Sequence, residues 1–323
     1  MAADKLPCNE VLPSSLPRPG KHSRRERALK VSCLPDVNVV EIFGERPGPT
    51  IAFVAGVHGD EVECIGVLED WLETAQIETG VVIVIAIANP AALAVGTRRG
   101  PDDVDLNRVA PGNPASEKPS VRLAAALHEA LRFADAVVTL HSIGRSGETI
   151  PYVEFPDGRS SAPEVTASAQ RLALKLGLPW AESWDWPRGL LPAALVRDGV
   201  PAVEVEIGGL GRTTHEGNAI GLSAINHALS HFGMAGEPEE SQTPTLAVRH
   251  TFIAPSEGRV RQRALLGQRV AAGEVVAEIR DAKSSSCTVL TAPADGTMAI
   301  HCTHGQVLAG EEVAVLFIPA APE

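Results

Sequence analysis

Ile51-Ala-Phe-Val-Ala-Gly56, then Val57 and His58-Gly59-Asp60-Glu61, is the stretch on which the reading of this chain turns. The apolar run reads as a strand. Residues 62–74 then bring apolar side chains back at helical spacing (Cys64, Ile65, Val67, Leu68, Trp71, Leu72), so His58 and Glu61 stand on the turn entering a helix. From that turn both can point at one ion. Zinc accepts imidazole nitrogen and carboxylate oxygen, and a catalytic zinc keeps three protein ligands so that water can hold the fourth position. The same spacing also occurs where a surface histidine precedes a helix-start glutamate that complements the helix dipole. A third ligand from elsewhere in the chain would decide between the two.

Two later segments bear on it. Ala134-Asp-Ala-Val-Val-Thr-Leu-His141-Ser142 is another apolar run, and it ends in a histidine at a strand terminus, where open α/β sheets place their ligands. His141 is the natural third ligand, or else a strand-end histidine bonded to a neighbouring carbonyl. In Val200-Pro-Ala-Val-Glu204-Val-Glu206-Ile-Gly208-Gly209, alternation puts both glutamates on one face, with Glu206 at the end before a glycine pair. A carboxylate there can reach a metal-bound water. Between these segments lie Asn89-Pro90, Thr97-Arg98-Arg99 and Asp105-Leu-Asn107-Arg108-Val-Ala-Pro111-Gly112, which concentrate arginine and asparagine in an otherwise acidic chain. Arginine offers a planar fork that matches a carboxylate, so the stretch reads as an anion clamp. Its bland alternative is a solvated loop in which Asp102, Asp103 and Asp105 pair with the arginines.

Taken in this order, the motifs HGDE (58–61), NP (89–90), TR (97–98), DLNR followed by PG (105–112), His141 after a strand and EIGG (206–209) resemble the succinylglutamate desuccinylase/aspartoacylase family of zinc carboxypeptidase-like deacylases, over roughly residues 50 to 235. The resemblance implies one zinc per chain bound by His58, Glu61 and His141, with Glu206 as general base and acid. It implies that Asn107 and Arg108 hold a substrate carboxylate and that Arg98 polarises the scissile carbonyl. Three departures stand out. Thr139 occupies the position two before the third ligand where the family usually has aspartate. Val109-Ala110 replaces an aromatic after DLNR. Tyr152 is the only tyrosine, so the late-chain tyrosine of aspartoacylases and carboxypeptidases has no counterpart.

At 323 residues with 44% hydrophobic side chains, the chain is long enough for two domains. Its net charge of -12 argues against nucleic acid and against anionic membrane surfaces, both of which need a basic face. The exception is His22-Ser-Arg24-Arg25-Glu-Arg27 in a Pro-rich leader, read as a solvated or subunit-contacting extension rather than a nucleic-acid arm. Five scattered cysteines without a CxxC pair suit a reducing compartment, and no apolar run is long enough for export or a membrane span, so a cytoplasmic location is expected.

Strand-like runs at 37–43, 51–57, 81–88, 134–141 and 200–207 alternate with helical patterns at 62–75, 119–133, 163–177 and 218–232. That order predicts an α/β fold, a mixed central sheet flanked by helices, as the catalytic domain over 1–235, with 1–36 as an N-terminal extension. A polar Gly/Pro-rich stretch at 236–247 reads as a linker. Residues 248–323 then carry an internal repeat: Ala254-Pro255-Ser-Glu257-Gly258 recurs as Ala292-Pro293-Ala-Asp295-Gly296, an offset of 38 (292 − 254). This half looks like the β barrel-sandwich of biotinyl and lipoyl carrier domains. Lys283 falls in the interval between its halves, without the flanks of a modified lysine, and reads as a solvated turn residue. His227 with His231, and His301 with His304, each lack a complete ligand set. Trp180, Trp184 and Trp186 line a hydrophobic wall or belong to the core.

The function expected is a zinc-dependent amidohydrolase that removes an acyl group from an N-acylated amino acid or similar small carboxylate. A metallocarboxypeptidase acting on short peptides and a non-catalytic binding or carrier protein are the alternatives. The expected partner is a small anionic substrate, with self-association into a homo-oligomer left open.

Overall fold

The computed structural model describes residues 23–236, 242–281, 286–302 and 305–321. In chain order its elements are β1 (Arg24–Leu29), β2 (Val37–Phe43), β3 (Arg46–Val54), α1 (Val62–Thr74), β4 (Thr79–Ile85), α2 (Pro90–Val95), a single 3-10 turn (Leu106–Arg108), α3 (Pro119–Leu131), β5 (Ala136–His141), β6 (Gly147–Pro156), α4 (Pro163–Ala173), β7 (Trp180–Trp184), α5 (Leu191–Arg197), β8 (Ala202–Gly209) and α6 (His215–His231). There follow β9 (Thr245–Ile253), β10 (Gly258–Gln262), β11 (Arg269–Val270), β12 (Val275–Arg280), β13 (Cys287–Thr291), β14 (Gly296–Cys302), β15 (Gln306–Val307) and β16 (Glu312–Pro319).

Twelve strands join in one mixed sheet in the order β1-β2-β4-β3-β5-β8-β6-β7-β9-β16-β14-β11. Its centre, β4-β3-β5-β8, is parallel. Parallel strands are covered on both faces and so lose polar alternation, which accounts for the unbroken apolar run in β3. Ile51, Phe53 and Ala55 face a core packed by α1, α4 and α6, whereas Ala52, Val54 and Val57 face one packed by α3 and α5. No helix among the described residues is long and apolar enough to cross a membrane.

Every predicted strand and helix of the first 235 residues is present, with ends moved by a few positions. The sequence did not reveal β6, β7 or α5. β6 carries Pro151 and polar residues because part of it lines a pocket, and β7 is only five residues long. The basic patch near the N-terminus is an edge strand. On β1, Arg25 and Arg27 donate to Glu41 of β2 at 2.6 and 3.0 Å, and Glu41 is fully buried. These arginines therefore neutralise an internal carboxylate.

The repeat shows itself as a strand exchange. Shifted by 38 residues (296 − 258), β10 falls on β14, and in the same way β9, β11 and β12 fall on β13, β15 and β16. One layer is β9-β16-β14-β11 and the other is β13-β12-β10-β15, the same order with the two halves interchanged. Between the layers lies a separate core containing Phe252, Val276, Ile279, Met298, Val313 and Leu316. β9 begins within the stretch read as a linker and pairs in parallel with β7, so the first layer continues the central sheet. Lys283, His304 and Cys8 lie outside the described residues.

Candidate metal centre and catalytic pocket

Three loops or strand ends converge at the C-terminal edge of β3, β5 and β8. After β3 the chain turns through Val57-His58-Gly59 beneath α2, where a Cβ on Gly59 would lie 2.0 Å from the Ala92 carbonyl carbon. Only glycine permits that approach, and it brings His58 inward. His141 closes β5, and the β5–β8 register sets it opposite Glu206, with Thr139 opposite Glu204. Residues two apart share a face of a strand, so these four side chains point to one side. At the end of β8, Gly208 has φ +70°, and a Cβ there would meet the buried Glu63 carboxylate at 1.9 Å.

Glu61 lies between the two histidines. His58 Nδ1 is 2.6 Å from Glu61 Oε1, and His141 Nδ1 is 2.9 Å from Glu61 Oε2. All three residues are 1–2% exposed. Among the described residues they are the one group of three potential donors whose ligand atoms fall within 4.8 Å of one another. Burial raises the Glu61 pKa, but the two imidazoles outweigh it and hold the carboxyl well below the usual range. Burial lowers His141, yet Glu204 and Glu61 push it up to about 10. A carboxylate cage that draws a proton this strongly onto an imidazole is one that a cation stabilises, and the donor set of two nitrogens and a carboxylate fits a divalent metal.

The remaining predicted residues surround this group. Glu206 lines the same pocket, and its Oε2 is buried without a hydrogen-bond partner. Burial pushes its carboxyl well above the ordinary value; Glu61 and Glu204 add to the rise, against His141. Arg98 donates from Nε to Asp105 Oδ2 at 2.9 Å and from Nη1 to Glu61 Oε1 at 3.5 Å. Arg108 faces the pocket with Nη1 on the Asn107 carbonyl at 2.7 Å. Asn107 is buried; its Oδ1 accepts from Leu191 N at 2.8 Å and its Nδ2 donates to Glu204 Oε2 at 3.4 Å. Its amide is thus largely spent within the protein.

Two contributors were missed. Asp105, read from sequence only as a counter-ion, lies 3.2 Å from His58 Nε2, and His58 with Arg98 holds its carboxyl well below the usual range against burial. The signal was its place in DLNR. The second is the far wall, built by β6, β7 and β9 with parts of β14 and β16, and lined by Tyr152, Glu154, Glu182, Arg249, Ile300 and Glu312. Arg249 Nε donates to both Glu182 oxygens at 2.9 Å, and its Nη2 donates to Tyr152 Oη at 3.0 Å and Glu154 Oε1 at 3.1 Å. Tyr152 in turn donates to Glu154 at 3.0 Å. The whole cavity measures about 710 Å³. A second hollow of about 370 Å³, beside Arg24, Asp36 and Glu69, lies away from every residue of the donor group.

The tryptophans divide. Trp186 is core, Trp184 donates to Glu154 Oε2 at 2.8 Å on the pocket wall, and Trp180 packs on Phe317 with ring centroids 5.7 Å apart. His227 is buried with Nδ1 2.8 Å from the Ser223 carbonyl. It belongs to no metal-competent group among the described residues.

The succinylglutamate desuccinylase/aspartoacylase catalytic domain matches residues 47–232. The N-alpha-acetyl-L-2,4-diaminobutyric acid deacetylase of Halomonas elongata is 31% identical over 297 residues, covering 86% of this chain and 84% of that protein. A succinylglutamate desuccinylase/aspartoacylase structure from Rhodobacter sphaeroides superposes with TM-score 0.83 at 25% identity, covering 94% of this chain and 97% of that one. The product-bound ectoine utilization protein EutE (DoeB) of Ruegeria pomeroyi shares the fold, with TM-score 0.84 at 21% identity over 94% and 98% of the two chains. The family match spans more than half of the chain and contains His58, Glu61, Arg98, Asn107, Arg108, His141 and Glu206, and so this chain belongs to the succinylglutamate desuccinylase/aspartoacylase family of deacylases.

Proposed function

We propose that this protein is a zinc-dependent deacylase that hydrolyses the amide of a small N-acylated amino acid, one zinc being held by His58, Glu61 and His141. The observation that carries this reading is the convergence of two imidazole nitrogens and a Glu61 carboxylate oxygen within 4.8 Å of one another, with Glu206 facing His141 across the β5–β8 pair. Zinc bound there lowers the pKa of a water and polarises the amide carbonyl.

The chain's own groups do the rest. Glu206, buried and raised in pKa, takes the proton of the attacking water and returns it to the leaving amine, so one carboxyl serves first as base and then as acid. Arg98 is oriented by Asp105 and lies beside Glu61, where it offers donors to the carbonyl oxygen as charge develops. Arg108, with Asn107 fixing its loop, meets the substrate carboxylate.

The substrate class is an acylated diamino acid. The Halomonas elongata relative carries such a substrate in its name. In this chain the far wall adds Glu312, a half-buried carboxylate that accepts from the weak Cys302 Sγ donor at 3.8 Å. A second ammonium on the substrate would satisfy it. The accompanying fold reading is a zinc carboxypeptidase-like sheet with a barrel-sandwich unit closing one side of the pocket. The unpaired Cys33, Cys64, Cys287 and Cys302 support a cytoplasmic location.

The test is to load the purified protein with zinc and offer N-acetyl-2,4-diaminobutyrate, N-acetylaspartate and short peptides. Release of acetate from the first is the expected result. Release of C-terminal residues from the peptides instead would make the protein a carboxypeptidase.

A further inference from the structure

Both histidines of the donor group present Nδ1 to Glu61, which leaves each with an outer nitrogen to be satisfied. For His58 that partner is Asp105, 3.2 Å from Nε2. For His141 the expected partner is missing, because Thr139 stands where an aspartate would lie on the same strand. The neighbouring strand fills the gap: Thr139 is register-paired with Glu204, and Glu204 Oε2 lies 3.5 Å from His141 Nε2. At that separation the charge is felt although no hydrogen bond is formed. The same oxygen receives Thr139 Oγ1 at 3.5 Å and Asn107 Nδ2 at 3.4 Å. The carboxylate facing His141 Nε2 thus comes from the neighbouring strand β8.

We infer that Glu204 is the positioning residue of His141, a carboxylate supplied from β8 that fixes the Nε2–H tautomer so that Nδ1 points its lone pair at the metal. The assignment rests on the zinc reading above. Outer carboxylates of this kind hold a ligating imidazole in one orientation and raise its basicity, and losing one costs metal affinity. Through Asn107, the same oxygen ties the third ligand to the Arg108 loop.

The experiment measures zinc affinity by chelator competition on four full-length proteins: wild type, Glu204→Gln, Glu204→Thr, and the exchange Thr139→Asp/Glu204→Thr. Circular dichroism checks each fold. Glu204→Gln and Glu204→Thr should lose about 10- to 100-fold in zinc affinity, and the exchange variant should regain most of it. A side chain that merely fills space beside Asn107 is not replaced by an aspartate on another strand, so rescue separates positioning from packing. Unchanged affinity in Glu204→Gln, or loss without recovery in a folded exchange variant, overturns the assignment. Should Glu204→Thr fail to fold, the isosteric Glu204→Gln decides alone. A wild type that binds no zinc sinks the deacylase reading itself, which is a different outcome from a zinc-binding wild type whose Glu204 variants bind equally well.

Discussion

The pocket has two buried charge clusters on opposite walls, and they are built on opposite principles. On the β3-β5-β8 side, Glu61, Glu204 and Asp105 surround two imidazoles, Arg98 reaches Asp105 and Glu61 from the rim, and the pKa of His141 is raised by Glu204 and Glu61 against burial. On the β6-β7-β9 side, Glu154 and Glu182 surround a guanidinium of the chain itself, with Tyr152 filling the remaining acceptor. Burial opposes the charge on Arg249, and Tyr152, Glu154 and Glu182 outweigh it. On the proposed function the first cluster takes up a metal ion, whereas the second is closed around the chain's own Arg249.

The largest effects should come from emptying the first cluster. In His58→Ala, metal analysis should find no zinc and turnover should fall to background, while a chelator should silence the wild type until zinc is restored. Zinc retained in His58→Ala would erase the difference between the walls. Next is Glu206→Gln, which should keep its zinc yet lose about 10²–10⁴-fold in kcat, because an amide accepts no proton from water. An active Glu206→Gln would move the base to another group.

Arg249→Met tests the second wall. It leaves Glu154 and Glu182 buried without their cation, at a cost of about 3–5 kcal/mol in denaturant unfolding, with zinc content unchanged. Coupled zinc loss would show that the walls are one network. The smallest effect is expected from Arg108→Ala: about 1.5–3 kcal/mol in kcat/KM on a free-carboxylate substrate, and little on its amide. Equal losses on both would mean that Arg108 does not read charge.

How far the sequence reached follows the same division. The first wall was legible because its strands are parallel and apolar on both faces, so His58, His141 and Glu206 stood out as the polar residues at their ends. The second wall was not. Arg249 lies on a strand of mixed burial, and its partners come from positions 97, 95 and 67 residues away, a proximity that no local periodicity encodes. Asn107 was read as a substrate group from its place in DLNR, yet its amide is bound on both sides within the protein. The pairing of Arg25 and Arg27 was equally out of reach: their partner Glu41 is on a strand beyond an intervening turn, and burial of that glutamate is invisible in composition.

The parallel pairing of β9 with β7 has a consequence for how this chain can be cut. A protein stopped before Thr245 would leave the backbone of Trp180–Glu182 with its hydrogen-bonding groups open along one side. Unprotected edges of that kind recruit strands from other molecules. The same cut removes Arg249 from between two glutamates. The last eighty or so residues therefore act as a guard on the sheet as well as a wall of the cavity, and a shortened enzyme should be recovered as aggregate before its loss of specificity could be measured.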